Sequence, residues 1–172
     1  VGFISTKPVA GGMRFELTES QRMVRDMVRT FARDEVRPIA AQHDREHSFP
    51  RSTTKRMGEL GILGVTVPEQ YGGPGCDYVS FALVAEELAW GDASHSVIFG
   101  ANASLTVGPI LNFGTEQQKQ HYLPRLTNGS MLGCYALTEP AAGSAAGSLQ
   151  PRASRDGAEY VIDGARSEEH QS

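Results

Sequence analysis

Residues 133–148, GCYALTEPAAGSAAGS, hold the side chains and main-chain groups best suited to chemistry. In a strand, Tyr135 and Leu137 share one face, and Ala136 and Thr138 share the other. Thr138 then stands at the strand end, where a hydroxyl and a main-chain N–H can meet one ligand. Glu139-Pro140 bends the chain. Gly143 and Ser144 offer unobstructed N–H groups and a hydroxyl, partners suited to phosphate oxygens. Composition alone leaves a second reading open, a strand end followed by a flexible Gly/Ser linker.

Other candidates are weaker. Glu86-Glu87 is a paired carboxylate in sequence, but adjacent helix residues do not face each other. The expectation is one solvated and one helix-packing carboxylate. His43 and His47 have the i,i+4 spacing of metal ligands, yet no third ligand accompanies them, and they read as surface histidines. His95 and His121 read as ordinary helix residues. Cys134 reads as a buried strand residue with nothing nearby to activate its thiol.

The elements that must position these residues are mostly helical. Thr18 and Gln21 form a capping-box pattern, and Val24, Met27, Val28 and Phe31 follow at helical spacing, with a stop near Pro38. A second helix is expected over about 50–60, ending at Gly61. Residues 61–75 form a glycine-punctuated loop. A third helix is expected near 78–90. A fourth, over 94–112, is rich in small and apolar residues and is expected to be largely buried. A second capping box, Thr115 with Gln118, opens a fifth helix that should end before Pro124. Beyond Gly129, MLGCYALT has strand composition, and RASRDGAEYVIDG reads as a hairpin around a type I′ Asp156-Gly157 pair.

The 172-residue chain has 40% apolar and 21% charged residues and a net charge of −4, so no nucleic-acid footprint stands out. No apolar run approaches the roughly 18 residues of a membrane span. Cys76 and Cys134 form neither a metal spacing nor a disulfide framework, which suggests a reducing compartment. That points to the cytoplasm, or to the mitochondrial matrix if the protein is eukaryotic. Val1 is not a methionine, and Met13 is the expected natural start. The division expected is an extension over 1–16, a helical domain over 17–128 and the start of a β domain over 129–172.

Four blocks in order resemble the acyl-CoA dehydrogenases, flavoproteins that desaturate acyl-CoA thioesters. They are LGVTVPEQYGG (63–73), AEELAWGDAS (85–94), FGTEQQKQHYLPRLTNG (113–129) and GCYALTEPAAGS (133–144). The resemblance covers nearly all of 17–164. It implies a mainly α fold: the family's N-terminal helical bundle, followed by a few strands of an incomplete β-barrel-like domain. FAD is the implied cofactor, with acyl-CoA as substrate and an electron-transfer flavoprotein as partner. Assembly as a homo-oligomer or with a homologous subunit is also implied. By the resemblance, Tyr135, Leu137 and Thr138 lie along the flavin ring, and Thr138 hydrogen-bonds it. Gly143 and Ser144 lie near the FAD pyrophosphate, and Ser144 also near the phosphate region of the thioester ligand. The helix over 94–107 lines the acyl-chain pocket.

Departures from the family pattern matter too. Ala145 stands where the family has Asp. Glu168, Glu169 and His170 stand where an aromatic segment packs on the flavin. Most members carry the catalytic glutamate in a C-terminal domain that the resemblance does not reach. The expectation is a part of a dehydrogenase that is inactive alone. The alternative is a non-catalytic partner subunit contributing half of a composite FAD site, and a plain helical binding module is a third reading.

Overall fold

The computed structural model describes residues 16–166. Met13, Glu168, Glu169 and His170 lie outside the described residues.

Thr18 caps the first helix, α1 (Glu19–Phe31), and the capping box is complete: Thr18 Oγ1 accepts from the Gln21 N–H at 3.2 Å, and Gln21 Oε1 accepts from the Thr18 N–H at 2.9 Å. The expected stop at Pro38 does not occur. A π-helical turn, Ala32–Val36, leads straight into α2 (Arg37–Glu46), and Pro38 falls in the first turn of α2. The wider turn shifts the bonding register just ahead of the proline, so its missing N–H falls where a helix start tolerates it. The run ends at His47, whose φ of 50° closes it.

Next, α3 (Arg51–Glu59) stops at Leu60 and Gly61, the latter at φ +74°. Two short 3-10 turns, Ile62–Gly64 and Glu69–Tyr71, shape the glycine-rich loop. Asp77 caps α4 (Tyr78–Gly91) through the Ser80 N–H at 2.8 Å. The carboxylate pair divides as expected. Glu86 is exposed, while buried Glu87 accepts a bidentate pair from Arg29 of α1 at 2.9 and 2.5 Å.

One continuous 21-residue helix, Ala93–Phe113, follows. It comprises α5 (Ala93–Gly100), a second π segment (Ala101–Val107) and α6 (Gly108–Phe113). It is long and apolar enough to cross a membrane by length and composition, which the sequence reading did not anticipate. Nor is it largely buried. His95, Phe99, Asn102, Ala103 and Val107 face inward, whereas Phe113 is 88% and Val97 69% exposed. That inward stripe packs into the helical core.

His95 is more than an ordinary helix residue. It is fully buried, with Nδ1 2.6 Å from Asp92 Oδ2 and Nε2 2.7 Å from Thr53 Oγ1 of α3. Burial is the largest single influence on Asp92 and pushes its carboxyl up. The His95 hydrogen bond, the Ser94 amide and the imidazole charge oppose it and together hold Asp92 below the usual carboxylate range.

The last helix, α7 (Glu116–Thr127), opens with the second capping box and runs through Pro124 instead of ending before it. Leu123 and Leu126, both buried, anchor the turns on either side. Two apolar clusters result. The larger joins Val28, Phe31, Met57, Leu63, Leu88 and Phe99, with the Phe81 ring 4.7 Å from that of Phe99. The smaller joins Val67, Tyr71, Val107, Leu123 and Leu126.

Beyond α7 the sheet is small: β1 (Arg152–Asp156) pairs antiparallel with β2 (Glu159–Asp163). Asp156 pairs with Glu159, so the loop is Gly157-Ala158, one residue later than expected. Among the loop residues only Gly157 has positive φ, which excludes the type I′ turn. Residues 132–138 form no ladder, because neither hairpin strand pairs with them, and Cys134 is exposed rather than buried. The mainly α bundle with a few unclosed strands is otherwise as the sequence indicates.

Two outcomes follow for stability. Phe99→Ala should cost about 3–5 kcal/mol in urea unfolding, whereas Phe113→Ser should change it by less than about 0.5 kcal/mol. A carboxyl held low contributes stability that is present above its unfolded value and lost as pH falls through its folded value. Urea midpoints should therefore drop on acidification below about pH 4, and Asp92→Asn should flatten that slope without abolishing it. Asp77, bonded mainly by the Ser80 amide, and Glu116, bonded mainly by Gln120, are also held low, which keeps part of the slope. An unchanged slope in the variant would count against the Asp92–His95 contribution.

Candidate functional site

The segment leaving α7 is tied to the helical domain through main-chain groups. The Gly133 N–H donates to Asn102 Oδ1 at 3.0 Å, and Thr106 Oγ1 donates to the Cys134 carbonyl at 3.4 Å. The approach at Gly133 is so close that an added Cβ would lie 2.1 Å from Thr106 Cγ2. Only glycine fits there. Beside this contact lies a cavity of about 480 Å³, lined among others by Thr106, Ile110, Phe113, Tyr122, Met131 and Cys134.

A tight turn then closes. Glu139 and Ala142 exchange main-chain hydrogen bonds at 3.0 Å in both directions. This antiparallel bridge sets Thr138 opposite Gly143. Glu139 is 5% exposed and fully engaged: Oε2 accepts from the Gln150 N–H at 2.8 Å, and Oε1 pairs with Arg166 Nη1. The same Arg166 nitrogen reaches the Leu137 carbonyl at 3.1 Å. One buried carboxylate thus fastens the turn to both flanks of the hairpin. The turn itself is fixed at its base, unlike a free linker, and a 3-10 turn at Ala146–Ser148 follows it.

This arrangement brings Thr138, Gly143 and Ser144 to the same turn, all exposed. Among the described residues, the Thr138 hydroxyl and the Gly143 and Ser144 N–H groups have no hydrogen-bond partner in the chain. A Cβ built on Gly143 meets nothing within 4 Å. Tyr135, about half exposed, and Leu137, partly buried, lie further back along the segment. Free donors around an open backbone suit a polyanionic group.

Among the titratable candidates, His43 is held by Ser48, its Nδ1 2.7 Å from the hydroxyl. No cluster of metal-ligating side chains occurs among the described residues. The sequence reading missed Asn102, Thr106 and Arg166. The available signal was a polar i,i+4 pair, Asn102 and Thr106, in an apolar helix that also carries His95 and Phe99 at helical spacing.

The fold and site together define a helical domain that delivers one pinned segment to an exposed, donor-rich turn. The family model "Acyl-CoA dehydrogenase, N-terminal domain" matches residues 18–130. The chain therefore belongs to the acyl-CoA dehydrogenase family. It is 47% identical over 151 residues to the mitochondrial short-chain specific acyl-CoA dehydrogenase of Rattus norvegicus, covering 88% of this chain and 37% of that protein. A structure described as the electron transferring flavoprotein of Acidaminococcus fermentans, studied for flavin-based electron bifurcation, superposes with a TM-score of 0.86 at 41% identity, over 88% of this chain and 40% of that one. The acyl-CoA dehydrogenase of Bacillus anthracis, complexed with FAD, gives 0.82 at 36% identity, over 88% and 26%. The chain thus spans well under half the length of the relatives it matches.

Glu139→Gln keeps the size of the side chain but removes the charge facing Arg166. Amide exchange at Ala142 and Gln150 should accelerate by about tenfold, while Leu123 in α7 stays protected. Unchanged exchange at both amides would show that the carboxylate does not fasten the turn.

Proposed function

We propose that this chain supplies the flavin- and thioester-facing part of an acyl-CoA dehydrogenase, with a helical domain over 17–128 and the start of a β domain over 129–172. The observation that carries the reading is the clamped 138–144 turn, whose hydroxyl and N–H donors are left free on an open backbone. Tyr135, Leu137 and Thr138 would lie along the isoalloxazine, Thr138 donating its hydroxyl to it. Gly143 and Ser144 would take the pyrophosphate, and Ser144 also the phosphate region of acyl-CoA. Bound FAD would supply the hydride acceptor for α,β-desaturation. The name of the rat relative supports a short acyl chain, and the family resemblance supports an electron-transfer flavoprotein as redox partner. Assembly as a homo-oligomer is part of the same proposal. Free Cys76 and Cys134 agree with a reducing compartment, the cytoplasm or the mitochondrial matrix.

Desaturation also needs a base within hydrogen-bond reach of the α-proton. Glu139 cannot serve, since both its oxygens are engaged by Gln150 and Arg166. The purified 172-residue chain should therefore show no dehydrogenation of short-, medium- or long-chain acyl-CoA with added FAD and an artificial electron acceptor. A few hydrogen bonds of about 0.5–1.5 kcal/mol each hold flavin only weakly, so FAD should be lost on gel filtration. Excess FAD should still shift the Gly143 and Ser144 amide resonances. Absence of that shift would refute the flavin reading. Turnover appearing only after a homologous chain is mixed in would establish a partner subunit instead.

A further inference from the structure

Asn102 stands at a three-way joint. It is 1% exposed, on the inward stripe of the Ala93–Phe113 helix within the π segment Ala101–Val107. Both ends of its amide are used. Oδ1 accepts from the Gly133 N–H at 3.0 Å, and Nδ2 donates to the Leu126 carbonyl at 3.3 Å. Leu126 lies in the last turn of α7, where helix carbonyls have no partner of their own helix. One side chain therefore completes the end of α7 and grips the segment that leaves it.

The grip extends to a second peptide. Four residues on, Thr106 donates to the Cys134 carbonyl, and its methyl and hydroxyl crowd Gly133. With the N–H of residue 133 and the C=O of residue 134 both fixed, the entry direction of the chain into Tyr135 is fixed. Residues 132–138 have no ladder to do this for them. Two side chains of one helix take over the task that a neighbouring strand performs in a sheet.

We propose that Asn102 is the positioning residue of the 133–138 segment, setting where Tyr135, Leu137 and Thr138 present themselves to the flavin. The inference rests on the flavin reading of those residues given above. Asn102 touches neither flavin nor substrate in this scheme. It acts through Gly133.

The test is residue-resolved amide exchange and FAD titration by NMR on the full chain, wild type against Asn102→Ala and Asn102→Asp. In the wild type, the Gly133 amide should exchange at least about tenfold slower than that of Ser144, which has no partner. Equal rates would overturn the proposal with no variant needed. In Asn102→Ala, Gly133 should exchange about tenfold faster while Phe99 and Leu123 stay within about threefold. Parallel acceleration of the core amides, or no change at Gly133, would reduce Asn102 to a packing residue. Asn102→Asp keeps the oxygen facing Gly133 and should retain its protection, and a loss equal to that of alanine would count against the proposal. Should that variant not fold, the other two arms decide. Excess FAD should shift the Tyr135 and Thr138 resonances in the wild type, and that shift should fall by more than about half in Asn102→Ala while the Gly143 and Ser144 shifts persist. Equal shifts in both proteins would overturn the positioning role and leave the flavin reading intact. No shift in the wild type, with Gly133 still protected, would refute the flavin reading itself and the positioning role with it.

Discussion

A polar side chain taken out of water must find all its partners, and that constraint governs the helix from Ala93 to Phe113. Its inward stripe holds His95 and Asn102 among apolar residues, both essentially without solvent contact. His95 is satisfied only if Asp92 and Thr53 of α3 stand where they do. Asn102 is satisfied only if the end of α7 and Gly133 stand where they do. Between them the two residues fix one helix against three other parts of the chain. Among the described residues, no buried side-chain nitrogen or oxygen is left without a partner.

Apolar burial supplies the bulk of the driving force but little direction. The Phe99 cluster could be filled by many rotations of its helices, since hydrophobic contact is not directional. The hydrogen bonds choose among them. Glu87 does the same between α1 and α4, because its bidentate pair with Arg29 fixes their rotation. Exposed neighbours such as Arg33 and Asp34 fix nothing comparable, being solvated and close in sequence.

The site inherits its order from this framework. Its exposed donors lie on a turn rather than on a regular element, a situation that usually brings mobility. Here the turn is held from inside by Glu139 and from behind by Asn102 and Thr106. The exposed donors of Gly143 and Ser144 can remain free because the restraint falls on other groups. Phe113, left exposed on the long helix, lines the cavity beside Gly133 and Cys134.

The sequence by itself determined the local features. Both capping boxes and the Gly61 stop depend on residues a few positions apart, and helical periodicity marked the bundle of helices and the opposite exposure of Glu86 and Glu87, although the Arg29 partner of Glu87 lies in another helix. The four sequence blocks also carried the family. Tertiary structure decided the rest. Pro38 and Pro124 read as stops, yet the π turn ahead of Pro38 and the buried Leu123 and Leu126 around Pro124 carry both helices through. MLGCYALT reads as a strand, but strand propensity forms no strand without a partner edge. His95, Asn102, Thr106 and Arg166 acquired their roles from partners at least 24 residues away, apart from the nearby Asp92. A hydrogen bond between distant residues leaves no periodic trace in a single sequence, because it depends on two elements meeting in space rather than on the spacing within either.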